Sequence, residues 1–294
     1  MHNHHHLTDR TNPWPLAPRQ LECRGVHGFT LVELLTVIVI ISVLAALSFS
    51  GYRMVIEGAH EVTCMSNLRQ LGVAALSYAD DHNGSTVPAI IQNGTGSNGA
   101  LDWETILVSE RYMGDCSSTS STIVAKTSVF RCPAGLSKLS TNDRGRFSNP
   151  AYASSDDAQG YRMLNYNGDD GKTKRYLPSW YGINAIVNNA PPSYPFWGLQ
   201  TSTGSPPWSI TEGRKIASIT DPANVVGLYC GMGFHNGAIA RVAARHRNRK
   251  RVNVMFMDGH VSSLPIADVQ AAFLEATKPL DQRKFKGISF TTIP

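Results

Sequence analysis

Glu33 is the only charge in the run from Phe29 to Phe49, which is otherwise Leu, Val, Ile, Ala and Phe broken by Thr30, Thr36, Ser42 and Ser48. A lone carboxylate in so apolar a stretch is costly to bury in a bilayer unless an opposite charge meets it. Near the other end stand His246, Asp258 and His260, two imidazoles and a carboxylate that could hold a metal ion. Asp156-Asp157 and Asp169-Asp170 could add oxygen ligands. Turn chemistry offers a simpler account, because Asp258-Gly259 is what a hairpin asks for and His260 is then a cross-strand partner. Arg245-His246-Arg247-Asn248-Arg249-Lys250-Arg251 is the densest charge run. Arg245, Arg247, Arg249, Lys250 and Arg251 could grip DNA, acidic polysaccharide or lipopolysaccharide by backbone charge. No aromatic residue interleaves them, which argues against a single-strand stacking platform and for a solvated loop.

Other chemistry is thinly represented. The five cysteines are Cys23, Cys64, Cys116, Cys132 and Cys230, and no Cys-x-x-Cys occurs, so a zinc ribbon has no support. Gly94-x-Gly96-x-x-Gly99 matches a dinucleotide fingerprint only as a string, with no strand before it. There is no Gly-x-Ser-x-Gly elbow and no His-Glu-x-x-His, and no nucleophile–base pair stands out. The chain is not expected to be an enzyme.

The elements that carry these residues follow from periodicity. Residues 29–50 read as an apolar helix long enough to span a bilayer at ~1.5 Å rise per residue. Over 51–82 the apolar residues Val55, Ala59, Val62, Met65, Leu68, Leu71, Ala75 and Tyr78 recur at helical spacing. Arg53, Glu57, Glu61, Asn67, Arg69 and Gln70 fill the gaps, so the same helix continues amphipathically and needs one covering surface. Gly51, Gly58 and Gly72 weaken it, and Asp81-His82-Asn83-Gly84 ends it.

Residues 83–294 form the head. Strands are expected at Ser128–Arg131, Tyr161–Tyr166, Tyr181–Val187 and Val225–Tyr229, and a short helix at Trp103–Tyr112. Long loops fall at Gln92–Ala100, Ser140–Gly160 and Asn188–Pro207. A hairpin turning at Asp258-Gly259 sets Phe256 opposite Val261 and Met257 opposite His260, before a last helix at Ile266–Thr277. With 294 residues, 42% of them hydrophobic, the chain can build a real core, and its charge of +5 is too modest to argue for nucleic acid.

Gly28-Phe29-Thr30-Leu31-Val32-Glu33-Leu34-Leu35 closely resembles the prepilin cleavage and methylation signal of type IV pilins and of the pseudopilins of type II secretion. The resemblance implies a leader over 1–28, cleavage after Gly28 by a prepilin peptidase, and methylation of the new N-terminus at Phe29. It implies that Glu33 takes an amine from a neighbouring subunit during filament assembly. Arg19 and Arg24 upstream keep the leader cytoplasmic, so the head is exported from the bacterial inner membrane to the periplasm or a pilus-like filament. The implied fold is α+β, a long N-terminal helix packed on a small antiparallel-sheet head.

A subgroup of pilin-like proteins ends in a His, nine residues, then Asp-Gly; here eleven residues separate His246 from Asp258-Gly259. Cys64-Met65-Ser66-Asn67-Leu68-Arg69-Gln70-Leu71-Gly72, Tyr78-Ala79-Asp80-Asp81 and Phe130-Arg131-Cys132-Pro133 also fit that subgroup. Loss of Cys23 with the leader would leave four cysteines in an oxidising compartment, which suggests two disulfides. Of the three pairings, Cys116–Cys132 closes a short loop and is the one expected. No cofactor is expected beyond calcium, which related pseudopilin heads can bind. Expected partners are copies of the chain or other pilin-like subunits, the peptidase and the inner membrane, with nucleic acid disfavoured. The alternative is a minor pilin or anchored protein whose head loops bind DNA, polysaccharide or a secreted substrate.

Overall fold

A computed structural model describes residues 28–97, 100–122, 127–140, 158–186, 196–197, 214–234, 242–277 and 287–290. The leader up to residue 27 with Cys23, the pair Asp156-Asp157, most of the 140–160 loop and nearly all of 188–207 lie outside the described residues. The chain divides into two compact units, Met1–Ser50 and Gly51–Pro294. One helix, α1 (Leu31–Asp81), belongs to both.

In the first unit every Leu, Val and Ile from Leu31 to Leu47 is exposed, 80% at Leu31 and 59% at Leu44. This part of α1 is long and apolar enough to cross a membrane.

In the second unit α1 has a buried stripe: Cys64, Leu68, Leu71, Ala74, Ala75, Tyr78 and Ala79. The expected members Val55, Ala59 and Val62 are exposed, so the covered stripe begins later than the periodicity implies. Val62 is 67% exposed and Glu61 is 7% exposed, because Glu61 has partners on the sheet and Val62 has none to offer.

The remaining elements are β1 (Ile90–Ser97), β2 (Ala100–Asp102), α2 (Trp103–Ser109), β3 (Arg162–Asn167), β4 (Lys174–Ser179), β5 (Tyr181–Ile183), β6 (Ala185–Ile186), β7 (Phe196–Trp197), β8 (Val226–Cys230), β9 (Gly233–Phe234), β10 (Arg251–Phe256), β11 (Val261–Pro265) and α3 (Ile266–Thr277). The main sheet runs β11-β10-β8-β5-β9, antiparallel except for the β5–β9 pair. Every residue of β8 is buried, as suits a strand covered on both faces. α1 lies on this sheet. Asn253 Nδ2 on β10 donates to the Glu61 carbonyl at 3.1 Å, and a Cβ at Gly72 would come within 2.9 Å of the Met255 methyl. Antiparallel hairpins β1–β2 and β3–β4 sit outside that sheet. The α+β architecture of a long N-terminal helix and antiparallel sheets is thus present.

Four local expectations need correction. The stretch 92–100, expected as a loop, belongs largely to the β1–β2 hairpin, with Gln92 opposite Ala100. Residues 128–131 form turns rather than a strand, with Arg131 N–H donating to the Ser128 carbonyl. The stretch 181–187 is divided at Asn184 into β5 and β6; the Asn184 N–H donates to the Gly227 carbonyl at 2.8 Å and its Nδ2 to the Val226 and Phe290 carbonyls. The last hairpin is shifted by one residue: Met255, not Phe256, opposes Val261. Phe256 N–H donates to the His260 carbonyl and Gly259 N–H to the Phe256 carbonyl, with Gly259 at φ +91. That is a three-residue loop closed by a left-handed glycine, and the extra loop residue moves the register.

Candidate functional site

The start of α1 is built by Thr30 and Glu33. Glu33 N–H donates to Thr30 Oγ1 at 3.2 Å, while the Thr30 N–H and hydroxyl both donate to Glu33 Oε2 at 2.8 Å. This is a reciprocal capping box, which satisfies orphan donors of the first turn. Ahead of it Gly28 and Phe29 stand clear of the helix, with Phe29 87% exposed and open space where a Gly28 side chain would be. Glu33 therefore has a local task besides the intersubunit one expected of it.

A second site lies inside the head. Cys64, Cys132, Cys230 and His246 are all buried, and their ligand atoms lie within 4.8 Å of one another. The Sγ atoms of Cys64 and Cys230 are 2.9 Å apart. His246 Nε2 is 3.7 Å from Cys132 Sγ and 3.6 Å from Cys230 Sγ. Four separate pieces of backbone supply them. Cys64 comes from α1, and Cys230 ends β8. Cys132 begins the Cys-Pro-Ala-Gly turn, where its carbonyl accepts the Gly135 N–H at 2.9 Å. Pro at the second place and Gly at the fourth are the residues that turn prefers.

His246 is pinned by its backbone. It exchanges hydrogen bonds with Arg251 at 3.1 and 3.2 Å, across a turn in which Arg247, Asn248 and Arg249 are all left-handed. Three consecutive non-glycine residues in that region are costly, and the bridge at their base is what holds them.

Around the cluster, Tyr181 O–H donates to Cys64 Sγ at 3.5 Å, and Asn67, on the same helix face as Cys64, donates to the Arg131 carbonyl at 2.8 Å. Burial pushes the Cys64 and Cys230 thiols well up. Burial acts the same way on Cys132, but hydrogen bonds from Cys230, Cys64 and His246 and the charge of Arg245 outweigh it and hold Cys132 well below the usual thiol range. Sulfur and imidazole donors that converge in a dry pocket can hold a soft metal ion, or two of the thiols can be oxidised together.

The expected pairing of Cys116 with Cys132 is not what the structure holds. All four described cysteines are free thiols, and Cys132 is turned inward to Cys64, Cys230 and His246 while Cys116 stays partly exposed. The expected set of His246, Asp258 and His260 does not assemble either. His246 joins the thiols, and His260 Nδ1 pairs with Asp258 Oδ1 at 2.6 Å on the exposed hairpin loop. Asp169 is paired with Arg111 at 3.2 Å, and Asp170 accepts the backbone N–H groups of Lys172 and Thr173, along a cleft of about 620 Å³. Among the described residues no oxygen-rich set of the kind calcium wants comes together.

The basic run is largely consumed by the fold. Arg245 is 5% exposed, and its guanidinium donates to the carbonyls of Trp180, Ala158 and Gly160. Arg247 Nε donates to Glu61 Oε2 at 2.7 Å, and Arg251 lies 3.8 Å from Glu61 Oε1. Only the turn from Arg247 to Lys250 is exposed.

Three buried acids, Glu61, Asp102 and Glu104, were invisible in the sequence. Glu104, in the first turn of α2, is fully buried with neither carboxylate oxygen hydrogen-bonded, and burial, aided by neighbouring Asp102, pushes its carboxyl up to about 8. Asp102 itself is held in a two-pronged pair with Arg162 at 2.6 and 3.2 Å. The cysteine–histidine cluster left a fainter trace. Three of its four members lie in the stretches singled out above by wording, Cys64–Gly72, Phe130–Pro133 and His246–Gly259; Cys230 lies in none, 166 residues after Cys64.

No curated protein and no solved structure matches this chain. Residues 23–49 match the family model of the prokaryotic N-terminal methylation motif, which spans the Gly28–Phe29 junction, the capping box and the exposed apolar part of α1. The chain thus carries a type IV pilin- or pseudopilin-like processing signal at the head of an apolar helix.

Proposed function

We propose that this chain is a pilin or pseudopilin subunit of a type IV pilus-like or type II secretion filament. A prepilin peptidase cuts after Gly28 and methylates Phe29. Residues 29–50 hold the subunit in the inner membrane and afterwards pack against other subunits, with the head in the periplasm. The observation that carries this reading is the match over residues 23–49, which coincides with an exposed apolar helix surface. Such a surface is stable only in lipid or against similar helices. Its head is structural rather than catalytic. The rival reading, a head that grips polyanions, loses support because Arg245 is buried and Arg247 and Arg251 already face Glu61.

Mass spectrometry of the chain co-expressed with a prepilin peptidase tests this. The expected product begins at N-methylated Phe29. A product that begins elsewhere, or an uncut chain beside a control pilin that is cut, refutes it.

A further inference from the structure

We propose that the head holds one structural zinc ion through the thiolates of Cys64, Cys132 and Cys230 and Nε2 of His246. The inference does not depend on how the N-terminus is processed.

Geometry is the first support. Zinc–sulfur and zinc–nitrogen bonds of about 2.3 and 2.0 Å set tetrahedral edges of about 3.8 Å between sulfurs and about 3.5 Å from sulfur to nitrogen. The two imidazole–thiol distances, 3.7 and 3.6 Å, already match such edges. The Cys64–Cys230 pair, at 2.9 Å, is closer than a tetrahedral edge and has to open to admit the ion, while all four donor atoms already lie within 4.8 Å of one another. Four protein donors leave no open position, which is the pattern of a structural rather than a catalytic site. Three sulfurs and an imidazole are a soft set, suited to zinc and not to calcium or magnesium.

Charge balance is the second and independent support. Arg245 is buried beside the cluster and, among the described residues, makes no ion pair; its guanidinium meets only carbonyl oxygens. A buried cation that meets no carboxylate among the described residues favours negative charge on the sulfurs beside it. One Zn²⁺ with three thiolates carries a single net negative charge, which Arg245 then answers. Binding releases to solvent the protons that the three sulfurs still hold, with the imidazole neutral, so no oxidant or reductant is involved. The ion would tie α1 to β8, to the 132 turn and to the base of the 247–249 turn at one point.

To test this, the full-length chain is purified in detergent under reducing, anaerobic conditions, and zinc is counted on the protein. About one zinc per chain is expected. Cys132→Ser and His246→Ala should each lower the zinc content at least tenfold, and Cys116→Ser should leave it unchanged. Because the first two variants could fail to fold, wild-type chain stripped of metal is also titrated with Co²⁺. The absorption of a tetrahedral cobalt thiolate should saturate at about one equivalent and be displaced by zinc. Wild-type chain with four reactive head thiols, no zinc and no such cobalt spectrum overturns the proposal. A Cys64–Cys230 disulfide in chain isolated from the exported compartment without reductant, or zinc loss in Cys116→Ser, overturns it as well.

Discussion

Two glutamates on one helix show how differently its parts behave. Glu33 sits where every apolar neighbour is bare, and its carboxylate closes on Thr30 three residues back. Glu61 sits where the helix is covered, and its carboxylate reaches Ser263 and Arg247, both remote in sequence. The first acid completes a local element; the second fastens the helix to the sheet. The same contrast holds for leucines, since Leu44 is 59% exposed and Leu71 is fully buried. Apolarity in the first part meets no cover among the described residues, and in the second part it is answered within the head.

The strongest way to break that contrast is to truncate one leucine from each part. Leu71→Ala should cost the head about 2–5 kcal/mol, read by denaturant unfolding with the buried Trp103 and Trp180 as reporters. Leu44→Ala should leave that transition where it is. Equal losses would mean the two parts are not distinct.

A second test uses Glu104, buried like Glu61 but without its partners. Its carboxyl titrates at about 8 in the folded chain against the usual 4.5. Across that window the unfolded chain binds fewer protons, so stability should fall as pH rises from about 4.5 to about 8. Glu104→Gln should flatten the profile and gain on the order of 1–3 kcal/mol at alkaline pH. An unchanged slope in the variant would remove Glu104 as its source.

Glu61 should behave in the opposite sense. Burial works to raise its carboxyl, yet the Ser263 hydrogen bond and the Arg247 charge hold it below the usual range. Its contribution is therefore present above about pH 4.5 and is lost as pH falls through the lowered value. Glu61→Gln should cost about 1 kcal/mol near neutral pH and nothing in acid, since half-exposed Arg247 screens the pair.

The smallest expected effect separates the two tasks of Glu33. Thr30→Ala removes the capping partner and keeps the charge, whereas Glu33→Ala removes both. In a filament assembly assay, Thr30→Ala should assemble close to wild type and Glu33→Ala should not. Identical behaviour would reduce Glu33 to a cap.

Much of this was legible in the residues. α3 runs from Ile266 to Thr277 as its periodicity dictates, and α1 ends at Asp81, where Asp-His-Asn-Gly stops it. What escaped was set by tertiary contact. Asp258-Gly259 announces a turn but not its length, and Met257 joined the loop. Arg245 looks like any other member of a basic run until the carbonyls around it are seen. The cysteine–histidine pocket has no local spacing at all: Cys132 and His246 are 114 residues apart, so only the folded chain brings them together.

The capping box carries one more implication. Its three hydrogen bonds begin and end within residues 30–33 and borrow nothing from further upstream. Scission at the Gly28–Phe29 bond would therefore sever a tether without disturbing what it was tied to. On the proposed function, maturation would be a change of end group alone, and the rod entering the filament would be the rod that met the protease.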